Sequence, residues 1–135
     1  MNLNPFKSKR RANQADFWSL SVKLDVDPTL LRPSGDAKHD VFLANDDTMT
    51  YEFTVHGQCG PMLRYGSKPE WGPHRETLKP KEDFTIRGKI GLPAACDKDQ
   101  LPAAERIAVK VDARPLNPRV LAQADSLYCN LELNE

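Results

Sequence analysis

Every second residue from Trp18 to Val26 is apolar. Trp18, Leu20, Val22, Leu24 and Val26 fall on one side of an extended chain, with Ser19, Ser21, Lys23 and Asp25 on the other. A period of two belongs to a β-strand with one buried face. The pattern recurs along the chain. Val41 to Ala44 form a short apolar run ended by Asn45-Asp46-Asp47. Met49, Tyr51, Phe53 and Val55 then alternate with Thr50, Glu52 and Thr54. These two segments are expected to pair as a β-hairpin across the acidic turn. Met62 to Tyr65 reads as one more short strand. Phe84, Ile86 and Ile90 continue the alternation, with Gly88 at the fourth inward position as the mark of a bulge or a close backbone approach. Ile107, Val109 and Val111 give another strand, and Leu127, Cys129, Leu131 and Leu133 close the chain.

About seven short strands separated by turn signals define an all-β chain, and the expected architecture is an antiparallel β-sandwich. The 11 prolines are spread along the sequence, which suits short strands and disfavours long helices. No helix-period segment is long enough for a βαβ crossover, which excludes the α/β enzyme folds. Val120 to Ala124 reads as a single helical turn, Arg114 to Pro118 as a turn, and Gly91 to Ala104 as a long connection. The stretch around Trp71, broken by Gly66, Pro69, Gly72 and Pro73, reads as irregular. At 135 residues one domain can bury a core without metal or disulfide help. The expected division is a flexible basic arm over residues 1–15 and a sandwich domain over residues 16–135.

The charges balance, 19 basic against 19 acidic. Phosphate recognition rests on accumulated positive charge, so nucleic acid is expected as a partner only through the basic arm. No apolar stretch approaches the ~20 residues that span a bilayer, and no secretory signal is recognisable at the start. Three cysteines far apart, Cys59, Cys96 and Cys129, suit free thiols in a reducing compartment. The cytoplasm or the interior of a particle is the expected location.

Catalytic signatures are missing. There is no G-x-S-x-G elbow, no H-E-x-x-H and no Walker-type loop. His56 and Cys59 have the spacing of half a metal site, but zinc takes four ligands and a second close pair is absent. Asp46-Asp47 and Asp97-x-Asp99 sit among polar turn residues and read as solvated, not as cation sites. Cys59, Trp71 and Cys129 follow the antibody order of Cys, Trp and Cys. However, Cys59 stands before Gly60-Pro61 in a turn, and Tyr128 is one residue from Cys129 instead of two. A Cys59–Cys129 bridge is left open. No enzyme activity, cofactor or metal is expected.

Two segments offer binding surfaces. In the arm, Phe6, Lys7, Lys9, Arg10 and Arg11 combine an apolar anchor with cations, as does Leu3 nearby, which suits docking on a neighbouring subunit. The second segment centres on Trp71. A large aromatic in a Pro/Gly-rich loop gives rigid contact area at low entropic cost, and Arg64, Tyr65, His74 and Arg75 flank it. Trp71 has two readings, an interface anchor or a cap on the open end of the sandwich.

The stretch Met62-Leu63-Arg64-Tyr65-Gly66, followed by Trp71 and then by Thr77-Leu78-Lys79-Pro80-Lys81-Glu82-Asp83-Phe84, resembles an immunoglobulin-like domain. Within that class it is similar to the BsuPI-like intracellular proteinase inhibitors, over Val41 to Ile90. The resemblance implies an immunoglobulin-like sandwich and a protein-binding role. Two functions are therefore expected to compete. One is a non-catalytic structural or accessory protein of an assembly, such as a virion or other multiprotein particle, docking through arm and loops. The other is a stand-alone protein-binding module such as a protease inhibitor.

Overall fold

The computed structural model describes residues 13–17, 19–32, 35–60, 62–66, 68–92, 102–117 and 119–133. Residues 1–12, which hold Phe6, Lys7, Lys9, Arg10 and Arg11, lie outside the described residues. So do Trp18, Cys96, Asp97 and Asp99. The described chain is built from strands β1 (Gln14–Asp16), β2 (Leu20–Asp27), β3 (Asp36–Asn45), β4 (Tyr51–Cys59), β5 (Glu70–Leu78), β6 (Asp83–Gly91), β7 (Ala104–Pro115) and β8 (Gln123–Glu132). One sheet has the order β1-β2-β3-β6 and the other β5-β4-β7-β8, and every strand pair is antiparallel.

The alternation read from sequence becomes the core. Leu20, Val22, Leu24 and Val26 of β2 are buried while their neighbours are exposed. They face Tyr51, Phe53 and Val55 of β4 and Ile107, Val109 and Val111 of β7 across the sandwich. Burying a side chain of this size is worth about 1.5–3 kcal/mol, so these inward rows carry most of the stabilisation. The loop between β2 and β3 reaches across to the end of β8 in the second sheet. Leu31 donates its N–H to the Glu132 carbonyl at 2.8 Å, and Glu132 donates to the Thr29 carbonyl at 2.7 Å.

Five expectations need correction. The strand over 41–44 and the strand over 48–55 do not form a hairpin, because β3 pairs with β2 and β6 whereas β4 pairs with β5 and β7. Alternation shows that each strand has a buried face but not which edge it lies against. Residues 70–78, read as irregular, form the nine-residue strand β5. No helical turn precedes Gln123, where β8 begins, and β7 runs through Arg114 to Pro115. Met62 to Tyr65 contributes only isolated bridges, Arg64 to Gly91 and Tyr65 to Lys68.

The crossing from β3 to β4 is organised by Asn45, which is fully buried. Its Nδ2 donates to the carbonyls of Met49 and Leu78, both at 2.8 Å, and its Oδ1 accepts the Asp47 N–H at 2.9 Å. Asp47 in turn accepts from Thr48 and, through Oδ2, from the Tyr51 hydroxyl at 2.8 Å. Asp47 is therefore a structural acceptor in this turn. Burial, and then the bond to Asp47 and its charge, push the Tyr51 phenol up to about 12. The neutral phenol is the form the fold favours. Its contribution is complete below the ordinary tyrosine value of about 10 and is lost as pH rises through about 12. Tyr51→Phe is expected to cost about 1–2 kcal/mol at pH 7 in urea titrations, and to flatten the fall in stability between these two pH values.

Candidate partner-binding site

Strands β5 and β6 are the edges of their two sheets on the same side of the sandwich. On β5, Trp71 stands opposite Gly57 and His74 opposite Val55. Two residues of β5, Gly72 and Pro73, thus face one of β4, His56. Such a bulge adds a residue and resets the alternation, so Trp71 and His74, three apart, both turn inward. Gly72 has φ 91°, and a Cβ there would lie 2.7 Å from the Val55 carbonyl oxygen. Glycine is the residue this conformation admits. Pro73 has no N–H to lose on an edge strand, which is where proline is tolerated.

The bulge lays the Trp71 indole against the β4 backbone at Gly57. A Cβ on Gly57 would fall 2.0 Å from Trp71 Nε1. The indole also meets two other rings edge-on. His39 and Trp71 have centroids 5.6 Å apart at 82°, His39 and Tyr65 5.0 Å at 85°, and Tyr65 and Trp71 6.2 Å at 83°. The Tyr65 hydroxyl and His39 Nε2 are 3.4 Å apart, a long contact. The His39 side chain comes from the inner face of β3, where the residue is only 2% exposed. Burial lowers its pKa, outweighing a bond to its own backbone and the charge of Asp40, so the neutral imidazole is favoured. Burial also pushes the Tyr65 phenol well up. The Trp71 N–H lies near enough to Tyr65 to oppose that rise. It makes no hydrogen bond there, and Nε1 is buried with no acceptor among the described residues.

These three rings, with Gly66 and residues 86–89 of β6, line a cleft of about 320 Å³. The cleft is therefore framed by both edge strands. Arg87 and Lys89 stand exposed at its rim, on either side of Gly88. Further along, His74 stacks on Phe84 of β6 at 5.6 Å and 25° and closes the seam there. His74 Nε2 also lies 3.1 Å from Glu76 Oε1.

Of the residues singled out from sequence, Tyr65 and Trp71 come together in the cleft. His74 faces the same seam but not the cleft, and Arg75 points to solvent from the other face of β5. Arg64 sits beside the end of β6, where its backbone exchanges hydrogen bonds with Gly91 at 3.0 and 2.9 Å. Trp71 is half-buried and packs against the core, so it caps the seam and at the same time forms a wall of the cleft. His39, Ile86 and Gly88 were missed as site residues. A signal existed for His39, which occupies an inward position in the series Ala37, His39, Val41, Leu43.

Among the described residues no group of three or more His, Cys, Asp or Glu is placed to hold a metal ion. His56 lies 3.6 Å from Glu70 and not beside Cys59's thiol partners. Cys59 is the last residue of β4, not a turn residue. Its thiol contacts the carbonyls of Leu63 and Pro69, and burial pushes it up to about 11. Cys59 and Cys129 each stand opposite Ile107, on either side of β7. Two strand spacings, about 9.5 Å, separate their backbones. A disulfide needs Cα atoms within about 7 Å, and both thiols are free.

No protein-family model and no curated protein matches the sequence. Solved structures do share its architecture. Part of Escherichia coli alpha-2-macroglobulin activated by porcine elastase aligns with 85% of this chain, at 14% identity and a TM-score of 0.59; the match covers 9% of that chain. A FixG-related protein from Vibrio parahaemolyticus aligns over its whole length with 88% of this chain, at 10% identity and a TM-score of 0.52. The ASH / PapD-like domain of human CEP192 aligns over 85% of its length with 83% of this chain, at 11% identity and a TM-score of 0.51. At these identities the likeness concerns the fold alone. The chain is an immunoglobulin-like β-sandwich of two antiparallel sheets.

Proposed function

We propose that this chain is a non-catalytic binding protein, a structural or accessory subunit of a multiprotein assembly such as a virion or other particle. Its docking surfaces are the N-terminal arm and the β5–β6 side of the sandwich. The observation that carries this reading is the cleft between His39, Tyr65 and Trp71, open between two sheet edges and rimmed by Arg87 and Lys89. Aromatic walls with a cationic rim are the composition of a protein-binding surface. The polar groups facing the cleft, the Tyr65 hydroxyl and His39, make only a long 3.4 Å contact, and burial favours the neutral form of both. The arm adds four cations, Lys7, Lys9, Arg10 and Arg11, whose contribution is screened by salt.

The test is affinity capture with the full chain from its native source at low and high salt. Replacing Lys7, Lys9, Arg10 and Arg11 by glutamate is expected to remove the salt-labile partners. Trp71→Ala is expected to weaken salt-resistant capture at least about tenfold. Capture unchanged by either variant would sink the proposal. A stand-alone module, such as an intracellular proteinase inhibitor, is the second reading. It is favoured by a cleft sized for one inserted side chain, and it predicts a single captured protease in place of a multi-subunit complex.

A further inference from the structure

The β6 edge carries an unfinished sheet. Gly91 exchanges both backbone bonds with Arg64 on the side away from β3. Residues along an antiparallel strand direct these groups alternately to one neighbour and the other. The N–H and C=O groups of Lys89, Arg87 and Thr85 therefore point the same way as those of Gly91. Beyond Arg64 and Tyr65 the chain turns off through Gly66, at φ 66°, toward β5. The first rung of a fifth strand is thus laid, and the next three rungs have no partner among the described residues. On the opposite edge, β5 is interrupted by its Gly72-Pro73 bulge, a device that blunts strand addition. No such bulge interrupts β6, whose register with β3 is continuous from Asp83 to Gly91.

We infer that the β6 edge accepts an extended segment of a protein partner as an added strand, with one large apolar side chain opposite Gly88 and acidic residues on either side of it. This rests on the binding reading above and specifies the partner's chemistry. Gly88 faces inward opposite His39 and leaves the cleft uncovered, so an incoming side chain lies over it against His39, Tyr65 and Trp71. Side chains alternate along the added strand, so its flanking residues meet Arg87 and Lys89, which are exposed and have no ion pair among the described residues. Opposite charges across a strand pair stabilise and like charges oppose. The chain's own arm, with Lys7, Lys9, Arg10 and Arg11, places cations against cations and is the wrong occupant. Addition of a strand with pockets for alternate side chains is a known mode of peptide recognition.

The full-length protein is to be titrated with acetyl-Thr-Glu-Phe-Glu-Thr-amide and with the same peptide bearing lysine for glutamate. In amide-resolved NMR, the N–H groups of Arg87 and Lys89, which lie opposite the two glutamates, are expected to gain at least about tenfold protection from exchange. Those of Ile86, Gly88 and Ile90, already directed to β3, are not. The lysine peptide should bind at least about tenfold more weakly, and Arg87→Glu with Lys89→Glu should reverse the preference. Gly88→Val should remove binding while the fold persists, since a Cβ there meets nothing closer than 3.4 Å and valine suits a strand. The inference is overturned by absent protection at about 1 mM peptide, by equal affinity for both peptides, or by amides already protected in the free chain. If native partners are still captured by Gly88→Val, the edge assignment fails and the binding reading stands.

Discussion

Asn45→Ala is expected to cost about 3–5 kcal/mol, read as a lower urea midpoint with an unchanged slope. The side chain is fully buried and makes three hydrogen bonds. Alanine leaves the Met49 and Leu78 carbonyls and the Asp47 N–H without their partner. An orphaned buried group costs about 1–3 kcal/mol, and relaxation at the partly open 46–50 crossing offsets some of the sum. For a domain whose total stability is about 5–15 kcal/mol, this is a large fraction. Asn45→Asp should be no better. It keeps the acceptor for Asp47 but loses both donors and places a charge where solvent is excluded. Asp46→Ala, one residue on and exposed, should stay within about 0.5 kcal/mol of the parent. If Asn45→Ala matched Asp46→Ala, Asn45 would be an ordinary turn residue.

The second large effect is expected at Gly57. Its missing side chain is the space the Trp71 indole occupies, and a Cβ there would lie 2.0 Å from Nε1 and 2.4 Å from Cε2. Gly57→Ala should cost about 2–3 kcal/mol through overpacking. It should also push the indole outward and shift its fluorescence to the red, measured in a Trp18→Phe background so that one tryptophan reports. The decisive comparison is a double-mutant cycle. If the clash is the cause, Gly57→Ala should be nearly neutral when Trp71 is already alanine, a coupling of about 2 kcal/mol. Additive losses would place the cause in the β4 backbone instead.

The two glycine and asparagine positions show where the sequence was silent. Inward rows such as Leu20, Val22, Leu24 and Val26 were legible because one side chain in two is apolar, whatever the strand pairs with. Pairing was not, because β3 and β4 present the same alternation whether they lie side by side or in opposed sheets. The deciding residue, Asn45, is polar and reads as a strand terminator, which it also is. β5 was hidden for a different reason. Its bulge shifts the phase between Trp71 and His74, so no single period of two runs through Glu70–Leu78. Trp71 stood out by size and setting; the sequence offered an interface anchor or a cap on the open end of the sandwich, and the structure places the indole at the side, between the edge strands β5 and β6. Gly88 was flagged as a place of close approach, but a cleft beneath it depends on rings from β3, β5 and the 62–66 segment meeting there, which no local pattern encodes.

The β5–β6 side is fastened at its two ends by hydrogen bonds, Asn45 to Leu78 at one and Arg64 to Gly91 at the other. Between them, the contacts among the described residues are between side chains, Phe84 on His74 and the three rings around the cleft. The width of this interval can therefore change without breaking a ladder bond, and the cost of widening it is lost packing alone. A recess with such compliant walls discriminates poorly by volume. For the strand addition inferred above, selectivity then falls to the features that do not yield, the spacing of the strand rungs and the sign of the charges at Arg87 and Lys89.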